Sequence, residues 1–230
     1  MKSYTHLFFD LDRTLWDFEA NTAEVLKELY DEFGLRTFFG DFFTFSKVYH
    51  EINSDLWEKY SQEIITKDVL KWTRFYKTLF QYNCDDIELA KKIGDIYIEK
   101  SPFKTKLYPD TSETLAKLNQ NYKQYVLTNG FKEVQHIKVK SCGIEKYFEK
   151  VFTSEEVGKM KPSELFFNHV LSELQVKPEN CLMIGDDMKA DIEGARNCKI
   201  DQVLFNPQKK KTDGNPTFEI LNLKDLLQIL

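Results

Sequence analysis

Leu7-Phe8-Phe9-Asp10-Leu11-Asp12-Arg13-Thr14 decides the fold. A short apolar run ends on an acid, and a second acid follows two residues later. Such a run suits a strand covered on both faces in a parallel sheet. Asp10 then stands where the strand stops, the end at which open α/β sheets bind ligands. Side chains two apart point the same way along extended chain. Asp10 and Asp12 are therefore candidates to flank one reacting centre, one as nucleophile and one as proton donor or acceptor. The alternative is that both acids cap a turn between strand and helix.

Outward from this stretch the same pattern returns. Gln124-Tyr125-Val126-Leu127 ends on Thr128-Asn129-Gly130, and Val151-Phe152-Thr153 reads as a further strand before Lys161-Pro162. Cys181-Leu182-Met183-Ile184 ends on Gly185-Asp186-Asp187, and Gln202-Val203-Leu204-Phe205 is another strand. Helical patterns separate them, which argues for a parallel sheet covered on both faces. Asn21 or Thr22 is expected to cap the first helix, Asp110 or Thr111 a later one, and Asn222 the last. Pro162 suits a first helical turn.

From about Phe38 to Lys100 no buried strand is evident. Three apolar faces at helical spacing run through Phe45 and Tyr49, Leu70 and Phe75, and Ile93 and Tyr97. Residues 16–102 are read as an all-helical cap inserted after the first strand. Residues 1–15 and 103–230 are read as the Rossmann-like core. Thr22, His50 and Asn53 are expected at the surface or as caps.

Composition narrows the function classes. With 230 residues and 42% hydrophobic content, the chain can bury one substantial core and a smaller second lobe. A net charge of -5 supplies no general attraction to nucleic acid. The basic run Lys209-Lys210-Lys211 lies between turn-forming residues and reads as a solvated loop. The four cysteines form no C-x-x-C pair and fit no zinc spacing. No run suits a membrane span, and the first residues carry no apolar signal region. A reduced, cytoplasmic protein is expected, monomeric or homodimeric, with neither a membrane nor a nucleic-acid partner.

A parallel sheet gathers Asp10, Asp12, Thr128, Asn129, Asp186 and Asp187 along one edge, with Lys161 close by. Crowded carboxylates call for a divalent cation, and oxygen ligands favour magnesium. The Asn129 and Gly130 amides near a helix start offer an anion site. A carboxylate nucleophile, a hard cation, a lysine and anion-binding amides suit phosphoryl transfer.

The ordered set Asp10-x-Asp12-x-Thr14, Thr128, Lys161-Pro162 and Gly185-Asp186-x-x-x-x-Asp191 resembles the four motifs of the haloacid dehalogenase superfamily. The resemblance covers nearly the whole chain. It implies that Asp10 forms an aspartyl-phosphate, and that Asp12 protonates the leaving alcohol and then activates water. Thr128 and Lys161 would bind phosphoryl oxygens. Asp10, the Asp12 backbone carbonyl and Asp186 would hold Mg2+, with Asp191 in support; Asp187 replaces Asp186 if the register shifts. Dehalogenases of the family usually lack the second acid, so Asp12 favours phosphate esters.

Trp57-Glu58-Lys59-Tyr60, Leu127-Thr128-Asn129-Gly130-Phe131 and Ser154-Glu155-Glu156-Val157-Gly158 resemble the pyrimidine 5′-nucleotidase branch. This implies a nucleoside monophosphate substrate. Trp57 and Tyr60 are candidates to stack on its base, or else they pack the cap's own core. A phosphatase for sugar phosphates or other small metabolites, a phosphomutase and a non-catalytic binding protein remain the alternatives.

Overall fold

The computed structural model describes residues 4–230. The chain divides into two compact units, one reaching Phe18 and resuming at Thr105–Leu230, the other spanning Glu19–Lys104.

The first unit is built on six strands: β1 (His6–Phe9), β2 (Lys123–Thr128), β3 (Lys150–Thr153), β4 (Cys181–Gly185), β5 (Asp201–Phe205) and β6 (Phe218–Ile220). They lie in the order β3-β2-β1-β4-β5-β6, every neighbour parallel. The α/β Rossmann-like class expected from alternating strands and helices is the one observed. The helices of the chain are α1 (Phe18–Glu32), α2 (Arg36–Phe39), α3 (Phe42–Ser61), α4 (Lys67–Phe80), α5 (Ile87–Lys100), α6 (Thr111–Leu118), α7 (Lys132–Ser141), α8 (Ser154–Val157), α9 (Glu164–Leu174), α10 (Gly194–Asn197) and α11 (Leu226–Ile229).

Strand side chains alternate between two apolar layers, as the two-residue period requires. Leu7 and Phe9 join Val126, Ile184 and Val203 beneath Leu115, Val139 and Leu226 of the helices. Phe8 faces the other way with Leu127 and Met183, against Phe166, Phe167 and Val170 of α9. Because both faces are covered, the central stretches 7–9, 125–127 and 181–184 are apolar and give way to polar residues at their carboxyl ends.

Register then aligns those ends. Phe9 is opposite Val126 on one side and Ile184 on the other. One residue on, the Asp10 amide still donates to the Ile184 carbonyl at 2.9 Å. The chain beyond is a tight loop in which the Leu15 and Trp16 amides both donate to Leu11, at 2.9 and 2.8 Å. Arg13 takes a left-handed φ of 69° there.

The second unit is a bundle of α-helices around Leu26, Leu29, Phe45, Tyr49, Phe75, Leu79, Ile93 and Tyr97. Asp41, Thr66 and Asp86 cap α3, α4 and α5, each accepting the amide three residues on. Among the described residues no helix is long and apolar enough to cross a membrane.

Several local expectations are corrected. Helix α1 starts at Phe18, so Asn21 and Thr22 lie inside it and are buried, not caps. The Thr22 hydroxyl meets the Tyr97 hydroxyl at 3.3 Å. Asn53 is buried too, accepting from the Arg74 guanidinium at 3.3 Å. Asp110 holds the N-cap position of α6, as expected, but its side chain makes no capping bond. Asp110 takes φ 64°, and the Thr111 hydroxyl donates back to the Tyr108 carbonyl. Pro162 precedes α9 and does not begin it; Ser163 is the cap, and the Lys161–Pro162 bond is cis. The segment after β4 opens as a wide π turn, Met188–Glu193, before α10. The Asp187 carbonyl receives both the Asp191 and Ile192 amides, which widens that first turn.

Candidate active site

At the carboxyl end of the sheet β1 delivers Asp10, β2 delivers Thr128, and β4 delivers Asp186. Lys161 enters from the loop between α8 and α9, its side chain almost completely buried. Its ammonium donates to Asp10 at 2.8 Å, to Asp191 at 2.7 Å and to the Leu127 carbonyl at 2.7 Å. All three hydrogens of a lysine are thereby placed. The Thr14 hydroxyl lies 3.3 Å from the other Asp10 oxygen and 3.4 Å from Asp186, tying the two acids together.

Asn129 holds Lys161 in place from its backbone. Its side-chain oxygen accepts the Lys161 amide at 2.9 Å, and its side-chain nitrogen donates to the Lys161 carbonyl at 2.9 Å. An asparagine thus acts as a one-residue strand partner for the loop. Gly185 makes room for Asp191, because a Cβ at that position would occupy the space of the Asp191 carboxylate.

Asp10, Asp186 and Asp191 bring one carboxylate oxygen each within 4.8 Å of one another. Three negative charges face one ammonium. Burial pushes the Asp10 carboxyl up to about 7, with Lys161 opposing and Asp191 adding to the rise. Burial also raises Asp186 to about 8, reinforced by repulsion from Asp10 and Asp191. Asp191 is raised by the same burial, against the pull of Lys161. Burial works against the Lys161 ammonium, but Asp10 and Asp191 hold it well above the ordinary lysine value.

A hard divalent cation fits this all-oxygen donor set and its excess of negative charge. Asp10 and Asp186 are the carboxylates suited to hold it. Asp191 has both oxygens engaged, one by Lys161 and the other by the Asp187 amide at 3.1 Å. It therefore orients Lys161, and one of its oxygens also belongs to the cluster. Asp187 turns its Oδ1 to the Lys189 and Ala190 amides, both at 2.8 Å, and Asp186 is the acid that joins the cluster.

Asp12 stands apart from that trio. Its two carboxylate oxygens accept from the Lys138 ammonium at 2.5 Å and from the Gln135 amide at 2.8 Å. Sequence reasoning did not single out either of these α7 residues. The start of α7 is also less open to an anion than expected. The Gly130 amide donates to the Thr128 hydroxyl at 3.0 Å, and the Lys132 amide to Glu155 at 2.6 Å. Trp57 and Tyr60 belong to the helical unit, on α3, with their rings edge-on at 5.5 Å and Tyr60 buried.

The model of the haloacid dehalogenase-like hydrolases matches residues 4–199. The chain belongs to that family. This hydrolase is 30% identical to the HAD-hydrolase YfnB of Bacillus subtilis, over 100% of this chain and 97% of YfnB. A crystal structure of YfnB bound to magnesium superposes with a TM-score of 0.88, covering 99% of both chains. The hydrolase is also 32% identical to the pyrimidine 5′-nucleotidase PynA of Streptococcus pneumoniae, over 99% of this chain and 95% of PynA. To the pyrimidine 5′-nucleotidase YjjG of Escherichia coli it is 27% identical, over 97% and 96%.

Proposed function

We propose that this hydrolase is a magnesium-dependent phosphomonoesterase whose substrates are nucleoside 5′-monophosphates, pyrimidine ones preferred. The observation that carries the chemistry is the Asp10 carboxylate at the strand end, 2.8 Å from a buried ammonium and grouped with Asp186. Full-length similarity to PynA supports the substrate.

A bound magnesium ion would neutralise phosphoryl oxygens beside Asp10 and Asp186. An Asp10 oxygen attacks phosphorus, the phosphorus–oxygen ester bond breaks, and Asp12 gives its proton to the departing nucleoside oxygen. Asp12 then takes a proton from water. The resulting hydroxide attacks the aspartyl-phosphate, releasing phosphate and restoring Asp10. Thr128 binds a phosphoryl oxygen, and the Lys161 ammonium, held 2.8 Å from Asp10, supplies positive charge beside the phosphoryl group. Fixed charges at the reacting group supply most of the acceleration in such a transfer. The helical unit Glu19–Lys104 serves as a cap, with Trp57 and Tyr60 contributing to base recognition.

The test is phosphate release, with magnesium and with a chelator, across uridine, deoxyuridine, thymidine and purine monophosphates, sugar phosphates and an aryl phosphate. Magnesium-dependent release concentrated on pyrimidine nucleotides supports both chemistry and substrate. Release concentrated on sugar phosphates keeps the chemistry and discards the substrate. Full turnover by Asp10→Asn would sink the mechanism.

A further inference from the structure

Lys138 is an unusual lysine. Its side chain is 5% exposed on a helix that elsewhere carries its lysines outward. The ammonium contacts Asp12 and lies 3.7 Å above the Trp16 ring. A cation between a carboxylate and an indole face has little freedom to leave either. Gln135, one helical turn earlier on the same face of α7, takes the other Asp12 oxygen. Gln135 reaches it through space that a Cβ on Gly130 would fill. Lys138, Gln135, Trp16 and Gly130 thus converge on Asp12.

We propose that Lys138 and Gln135 are positioning residues that fix the plane of the Asp12 carboxylate, with the Trp16 ring as the platform for Lys138. The proposal rests on the role given to Asp12 above. A carboxylate held at one oxygen can still turn about its last bond. Held at both, by donors from a single helix, it keeps one orientation through protonation of the leaving oxygen and activation of water. An acid that must meet a departing oxygen in the transition state depends on that orientation.

The experiment compares kcat/KM for an alkyl phosphate, a nucleoside monophosphate, with that for p-nitrophenyl phosphate. The nitrophenolate departs without a proton, so only the alkyl ester needs a placed acid. Asp12→Asn sets the scale, because it should penalise the nucleotide far more than the aryl ester. Lys138→Met keeps an unbranched side chain on Trp16 and removes the charge. It is expected to lower kcat/KM for the nucleotide by roughly 10- to 100-fold, part of what a general acid supplies, with the aryl ester changed less than about 3-fold. Gln135→Leu should act in the same direction. Lys138→Arg, which keeps a cation that stacks on indole, should restore most of the loss.

Equal losses on both esters for Lys138→Met and Gln135→Leu would overturn the proposal, as would failure of Lys138→Arg to recover activity. If Lys138→Met does not fold, Gln135→Leu and Lys138→Arg decide by the same ratio. If Asp12→Asn itself shows no preference between the esters, the role of Asp12 falls, and the proposal with it. A selective Asp12→Asn beside an unselective Lys138→Met and Gln135→Leu removes the proposal alone.

Discussion

Lys161→Met tests whether the buried ammonium is the structural keystone of the acid cluster. Methionine is close in length and apolar, so the loss isolates the charge. Asp10 and Asp191 would lose their shared cation, and the Leu127 carbonyl its donor. The Lys161 and Asp191 side chains are each 1% exposed, so water does not replace what is lost. Removing one partner of a buried pair costs about 3–5 kcal/mol, because a charge is left uncompensated. For a domain of this size each kcal/mol moves Tm by roughly 2–4 °C. A drop of about 6–20 °C is therefore expected in chelator-containing buffer at pH 8, followed by circular dichroism. The double variant Lys161→Met/Asp191→Asn should recover part of it, since one stranded charge is gone, so that the two changes are not additive. A Tm within 2 °C of the parent, or additive losses, would refute the view that these groups form one electrostatic unit.

Other outcomes follow from the same site. Asp10 and Asp186 bind protons more tightly folded than at their ordinary value of 3.8, rising to about 7 and about 8. Between those limits the folded state holds more protons than the unfolded one, so metal-free stability falls as pH rises from about 4 to about 8. Magnesium should therefore raise Tm more at pH 8 than at pH 5.5; at a hundredfold excess over its Kd the gain is about 2.7 kcal/mol. Equal shifts at both pH values would contradict the placement of the ion at these acids. Gly185→Ala should abolish phosphate release and destabilise by about 3 kcal/mol or more, because its Cβ meets the Asp191 carboxylate; a normal melting curve would show that Asp191 has room to move. Asp187→Ala should cost only about 1 kcal/mol, that of a lost cap, and leave the magnesium affinity from calorimetry within a few-fold of the parent. A large loss of affinity would make Asp187 a ligand.

The parts legible from sequence were those in which burial and chain direction coincide. The runs 7–9, 125–127 and 181–184 are apolar up to the strand ends, so the sequence alone places Asp10, Thr128 and Asp186 there. Polar residues inside helices were the ones misread. Asn21 and Thr22 looked like caps because Phe18 was not recognised as the first helical residue. Asn53 looked like a surface or capping residue, yet it is buried in the bundle and accepts from the Arg74 guanidinium. Lys138 and Gln135 escaped because a helical lysine or glutamine usually faces water. The signal was present in their spacing. Val134, Gln135, Lys138 and Val139 form the buried face of α7, and two polar residues on such a face need a partner. Asp12 is that partner, 123 residues away from Gln135 in the chain, too far for any local pattern to show.

The pairing of Asn129 with both backbone groups of Lys161 separates the position of that lysine from the course of the loop before it. The segment from Ser154 to Met160 reaches Lys161 already registered to the end of β2 by one amide side chain. In hydrogen–deuterium exchange the Lys161 amide should stand out as a slow site in a fast stretch, its protection lost with Asn129→Ala. Grafting a longer segment between Gly158 and Met160 should leave that slow site in place. Loop length and ammonium position can therefore drift independently during divergence, as long as the asparagine stays.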